Sequence, residues 1–128
     1  MDYKNTQEAT GQIMAYCRQL FENKTVDYGT AWRILRLPSI TDQIYIKAQR
    51  IRSIQEKGTQ KVDEPIDAEF VGIINYCLMA LMQIQWVNDE RLEMPVEETL
   101  ALCQKEAQAT IELMLRKNHD YGEAWRMM

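Results

Sequence analysis

Lys24-Thr25-Val26-Asp27-Tyr28-Gly29-Thr30-Ala31-Trp32-Arg33 returns later in the chain as Lys117-Asn118-His119-Asp120-Tyr121-Gly122-Glu123-Ala124-Trp125-Arg126. Asp27 recurs as Asp120, 93 residues on, and Lys, Asp, Tyr, Gly, Ala, Trp and Arg coincide. Each copy follows a long amphipathic stretch and opens a short helical one. Equal motif in equal context points to an internal duplication. The period is too long for a solenoid unit, so the repeated unit is a small helical hairpin domain.

Working outward from the motif, the apolar spacing predicts helices throughout. Ala9, Ile13, Cys17, Leu20 and Phe21 form one stripe over a first helix from Glu8 to Asn23, with Thr6 as a candidate cap. Lys24 to Gly29 reads as a break, and Thr30 to Leu35 as a short helix ending before Pro38. Ser39 to Asp42 opens a basic helix that buries Ile40, Ile44, Ala48, Ile51 and Ile54 and closes at Gly58. Asp63-Glu64-Pro65 opens a central helix, apolar nearly all round from Phe70 to Ile84. Pro95 starts a last helix with Val96, Leu100, Cys103, Ala107, Ile111 and Met114 on one face, ending near Asn118.

The fold class that follows is all-α, a bundle of about four or five helices with a partial internal repeat. Residues 1–94 read as the first repeat and 95–128 as the start of a second, truncated repeat packed on the first. The second copy reaches only Met128, so the expectation is either a repeat cut short or a partial repeat that takes its missing partner from another chain, hence a homo-oligomer.

Bulk properties narrow the function classes. The formal charge is −4, which gives no global basic field, so direct nucleic-acid binding is not expected. The three cysteines, Cys17, Cys77 and Cys103, are odd in number and far apart, each among apolar residues. They read as buried free thiols in a reducing, cytoplasmic setting, without a disulfide framework or zinc site. The apolar run from Phe70 to Trp86 is interrupted by Gly72, Asn75, Gln83 and Gln85, and reads as a core helix with no role in a membrane.

The motif itself suits an anion. A glycine allows close backbone approach, a lysine supplies a point charge and an arginine a planar fork, and a helix N-terminus favours phosphate. Tyr28 or Trp32 would stack on a base. The bland alternative is equally concrete: Asp27 as an N-cap, Gly29 as a turn residue, Tyr28 and Trp32 as core anchors. Lys47 and Arg50 are neighbours on one helix face, suited either to clamp phosphates or to pair with Asp42 or Glu56. Asn75 lies inside the most apolar helix, where its amide must find partners, in a neighbouring loop or on a base edge. His119 faces Val26 in the other copy, which argues against a role in both sites.

The run Lys-x-x-Asp-Tyr-Gly-x-Ala-Trp-Arg, the basic helix with Lys47, Arg50 and Ile51, and Ile73-Ile74-Asn75-Tyr76 together resemble a bacterial family of unknown function, the nucleotide-modification-associated domain. The resemblance covers most of the chain and implies a two-copy architecture. More distantly the chain resembles the MazG-like all-α nucleoside triphosphate pyrophosphatases. That likeness implies Mg²⁺ held by acids on facing helices and hydrolysis of a nucleoside triphosphate to monophosphate and pyrophosphate. Here Gly72 stands where that family carries an Asp, with Ala68 a turn earlier. Glu64, Asp67 and Glu69 remain as metal candidates, or as an ordinary acidic first turn.

The functional expectation is therefore a nucleotide-binding helical protein with Mg²⁺-dependent pyrophosphohydrolase activity as its enzymatic form. Lys24, Asp27, Tyr28, Lys47, Arg50 and Asn75 are its phosphate- and nucleotide-binding candidates, matched by Lys117, Asp120 and Tyr121 in the second copy. The alternative is a non-catalytic helical interaction module associated with nucleotide or nucleic-acid modification.

Overall fold

The computed structural model describes residues 3–57 and 66–127. Four α-helices run in order: α1 (Tyr3–Tyr28), α2 (Leu37–Lys57), α3 (Ile66–Gln85) and α4 (Val96–Tyr121). A single 3-10 turn spans the end of each motif, Ala31–Ile34 after α1 and Ala124–Met127 after α4. The described residues hold no strand, so the fold is the all-α bundle that the spacing predicts.

The first helix is longer than its apolar stripe. Lys24 to Gly29 does not break it, because Thr25 turns inward and bonds its hydroxyl to the Phe21 carbonyl at 2.8 Å. That bond keeps a polar side chain inside the helix without an unpaired donor. The buried face is Thr6, Met14, Cys17, Phe21 and Thr25, and Ile13 and Ala9 are exposed. Thr6 is not a cap but lies within the helix, wholly buried. Termination falls to Gly29 at φ 68°, a left-handed residue that closes the helix with an amide bond back to Thr25. The same device ends α4. That helix runs past Asn118 to Tyr121, and Gly122 at φ 60° is its left-handed cap.

Helix α2 starts at Leu37, with Pro38 in its first turn where a missing amide costs nothing. Ile40 and Ile51 are buried, and Ala48 is exposed where the sequence suggested burial. Gly58, Asp63, Glu64 and Pro65, the proposed cap and helix start, lie outside the described residues.

Helix α3 packs chiefly on α2 and also on α1 and α4, while α1 packs along α4. It is not buried all round: Phe70, Cys77, Leu81 and Ile84 face outward, so Cys77 departs from the buried thiol expected of it. By length and composition α3 would pass as a membrane span. Its inner face instead joins the core of Met14, Phe21, Leu78, Met82, Cys103 and Ala107.

The repeated pair at the end of the first motif, Trp32-Arg33, closes that core. Trp32 lies against Phe21 and stacks on Trp86, with ring centres 6.1 and 6.3 Å away. Arg33 sits over Trp86 at 5.2 Å and bonds the carbonyls of Asp89 and Arg91 and the Gln83 side chain. It holds the α3–α4 connection in place and is not aimed at a ligand. Thr30, fully buried, accepts from the Met94 amide and donates to the Leu92 carbonyl, fixing the same connection. In the second copy Glu123 takes the place of Thr30. Its buried carboxylate accepts from the Thr6 hydroxyl at 2.6 Å and pairs with Arg126 at 3.2 Å. Each motif thus pins a distant stretch of chain by the side chain that follows its glycine.

Candidate functional site

The C-terminal turns of α1 and the first half of α3 leave a cleft of about 500 Å³ between them. That is ample for a small ligand. Helix α1 supplies Phe21, Lys24, Thr25 and Tyr28, and the turn after it Gly29 and Trp32. From α3 come Ala68, Glu69, Gly72, Asn75, Tyr76 and Met79, and α2 contributes Lys47.

Glu69 organises the charge. It is a carboxylate only 3 % exposed, and such a group is costly unless paired. Arg50 reaches its Oε1 at 3.1 Å and Lys47 its Oε2 at 3.4 Å. Two cations therefore answer one anion. Lys24 enters the same cleft from the opposite wall, on an exposed stretch of α1. The lining is left with an excess of positive charge.

Gly72 explains how Lys47 gets there. A Cβ at this position would lie 2.6 Å from Lys47 Cε and 2.8 Å from its Cδ. The lysine stem crosses α3 where a side chain would otherwise stand. The missing side chain at Gly72 is thus the space that lets a cation into the site.

Asn75 forms part of the cleft and is 8 % exposed. Its Oδ1 is buried with no hydrogen-bond partner among the described residues. A buried amide is ordinarily satisfied, and an acceptor left open costs roughly 1–3 kcal/mol. The pairing with a neighbouring loop that the sequence suggested is not formed by this oxygen.

The structure gathers Lys24, Tyr28, Lys47, Glu69 and Asn75 around one cleft, with Arg50 behind Glu69. Asp27 is different. It lies within the last turn of α1, exposed, and takes no part in the cleft lining. It is not an N-cap, because the chain is still helical at that point. Tyr28 is no core anchor, being 76 % exposed at the cleft rim. Asp67 is exposed and off the lining, and Glu64 lies outside the described residues. Among the described residues no three acidic, histidine or cysteine side chains stand together as a metal set.

The second copy builds a different groove. Met114, Lys117, Asn118, Tyr121 and Ala124 are the repeat counterparts of Phe21, Lys24, Thr25, Tyr28 and Ala31, and they line it. The facing wall is Thr6, Ala9, Thr10 and Ile13 of α1, without a counterpart of Lys47 or Glu69. Asp120 is exposed next to His119 and does not line the groove.

Sequence reading missed Gly72 as a site residue, together with the walls Tyr76 and Met79. The signal for Gly72 was available: a glycine inside a helix costs about 1 kcal/mol and so asks for a steric reason.

No curated protein and no solved structure matches the chain. Residues 24–84, from Lys24 through α2 to Ile84 near the end of α3, match the family described as nucleotide modification associated domain 1. The matched segment supplies the α2 and α3 walls of the cleft and all of its charged residues, and it is in this segment that the chain is similar to that family.

Proposed function

We propose that this protein binds a nucleoside phosphate in the α1–α3 cleft. The observation that carries the reading is the convergence of Lys24 and Lys47 on a cleft whose one lining carboxylate, among the described residues, is already held on both oxygens. A lysine ammonium is a compact donor suited to phosphate oxygens. Tyr28, Trp32 and Tyr76 add aromatic surface at the scale of a base. The family description, which ties the domain to nucleotide modification, supports the same ligand class.

Hydrolysis to monophosphate and pyrophosphate is the finer form of this reading. The acids proposed for Mg²⁺ do not suit it: Glu69 is engaged by two cations and Asp67 points to solvent. A metal that acts here would arrive on the nucleotide's own phosphates, as Mg²⁺ commonly does. Binding is therefore the activity proposed. The test is calorimetric titration of the common nucleoside triphosphates with and without Mg²⁺, alongside pyrophosphate release. Heat of binding without product supports the proposal; no heat for any nucleotide refutes it.

One observation favours a second reading, a helical interaction module that self-associates. Phe70, Leu81 and Ile84 are 48, 36 and 52 % exposed along the outer side of α3, and Tyr45 and Ile46 of α2 are exposed as well. An apolar stripe of this kind marks a contact surface. Sedimentation of wild type and Leu81→Glu reads it directly: a shift from dimer to monomer supports self-association, and a monomer in both removes it.

A further inference from the structure

Asn75 brings an incompletely bonded amide to the cleft lining. Its Oδ1 is buried and unpartnered among the described residues, and no other described side chain bonds its amide nitrogen. On α3, Gly72 and Met79 lie about one turn to either side of it, and Phe21 and Trp32 line the facing wall. Met79, Phe21 and Trp32 are apolar walls, so a base edge placed among them is judged on how completely one amide satisfies it.

An amide offers one acceptor and one donor side by side. Adenine answers with one donor and one acceptor, its N6 amino group and the adjacent ring nitrogen. The next position along either of those edges is a C–H. The other bases carry a third polar group on the corresponding edge: the 2-amino group of guanine, or the 2-carbonyl of cytosine and uracil. In an apolar niche with a single amide that third group is left unpaired, which costs roughly 1–3 kcal/mol, about tenfold or more in affinity.

We propose that Asn75 reads the base, and that its buried amide makes the cleft selective for adenine nucleotides. This rests on the reading of the cleft as a nucleotide site. The phosphates would then extend towards Lys47 and Lys24, the two cations of the same lining.

The experiment is a calorimetric panel on the 128-residue chain: ATP, GTP, CTP, UTP and inorganic tripolyphosphate, on wild type, Asn75→Leu and Asn75→Asp. Wild type should prefer ATP by about tenfold or more. Asn75→Leu should bind all four nucleotides alike while holding tripolyphosphate as wild type does. Asn75→Asp replaces the donor–acceptor pair by two acceptors, which fit the two neighbouring donors of guanine, and should move the preference to GTP. This gain does not arise from misfolding. Four nucleotides within twofold of each other in wild type, or an ATP preference that survives in Asn75→Leu, would overturn the assignment. Tripolyphosphate binding with a flat base profile sinks only the role of Asn75. Failure of every ligand, tripolyphosphate included, removes the nucleotide reading and this inference with it.

Discussion

Lys47 crosses α3 over Gly72, its Cε 2.6 Å from the point a Cβ would occupy, and so reaches Glu69 from a neighbouring helix. The missing side chain is what admits the charge. Gly72→Ala should therefore separate stability from binding. Alanine adds about 1 kcal/mol of helix propensity. Lys47, a flexible chain, swings aside and loses its place in the cleft. The melting temperature should change little or rise, while affinity for nucleotide or tripolyphosphate falls. A parallel thermal melt and titration check this, and unchanged affinity would show that Lys47 is not a ligand.

Lys24 and Asp27 should behave oppositely to the motif's appearance. Lys24 lines the cleft and Asp27 does not. Lys24→Ala should weaken tripolyphosphate binding with no loss of stability. Asp27→Ala should leave stability within about 0.5 kcal/mol, well short of a helix cap's contribution. A denaturant series on both variants distinguishes this from the capping reading.

Thr6 and Glu123 tie the start of α1 to the second motif through bonds of 2.6 Å. Glu123 holds a positive φ of 66° while its carboxylate is buried. Thr6→Val removes a donor from that carboxylate and should cost about 1–3 kcal/mol, with no effect on the α1–α3 cleft. Urea unfolding with tripolyphosphate binding as control reads both parts.

Burial pushes the Cys103 thiol up to about 11 and also raises Cys17. A thiol that stays protonated in the folded state favours folding only while the unfolded chain is protonated too. Its contribution is complete below pH 9 and declines as pH rises towards 11. Cys103→Ala should flatten that alkaline slope relative to wild type. In the folded protein at pH 8, a thiol reagent should modify Cys77 first, since it alone of the three is exposed.

Much of this was legible in the sequence, for identifiable reasons. The α4 stripe from Leu100 to Met114 was readable because its apolar period runs without interruption. The α1 stripe was read rightly at Cys17 and Phe21 but not at Ala9 and Ile13, which are exposed. Its true face is completed by Thr6 and Thr25, whose hydroxyls are satisfied inside the fold and so escape a purely apolar pattern. Lys24, Lys47 and Asn75 were singled out by residue type and family likeness, and they meet in one cleft. That Asp27 would miss it was not readable, since the helix continues through a segment rich in polar residues. Nor was the role of Arg33, whose partners are carbonyls some 56 to 58 residues away.

The most direct test of the nucleotide reading is a ¹H–¹⁵N titration with ATP that follows the side-chain amide of Asn75 and the backbone amides of Lys24, Tyr28, Gly29 and Gly72. Saturable shifts at all of these, with the second groove around Asn118 unmoved, are the predicted result. No shifts, or shifts confined to Asn118, Lys117 and Tyr121, would contradict it.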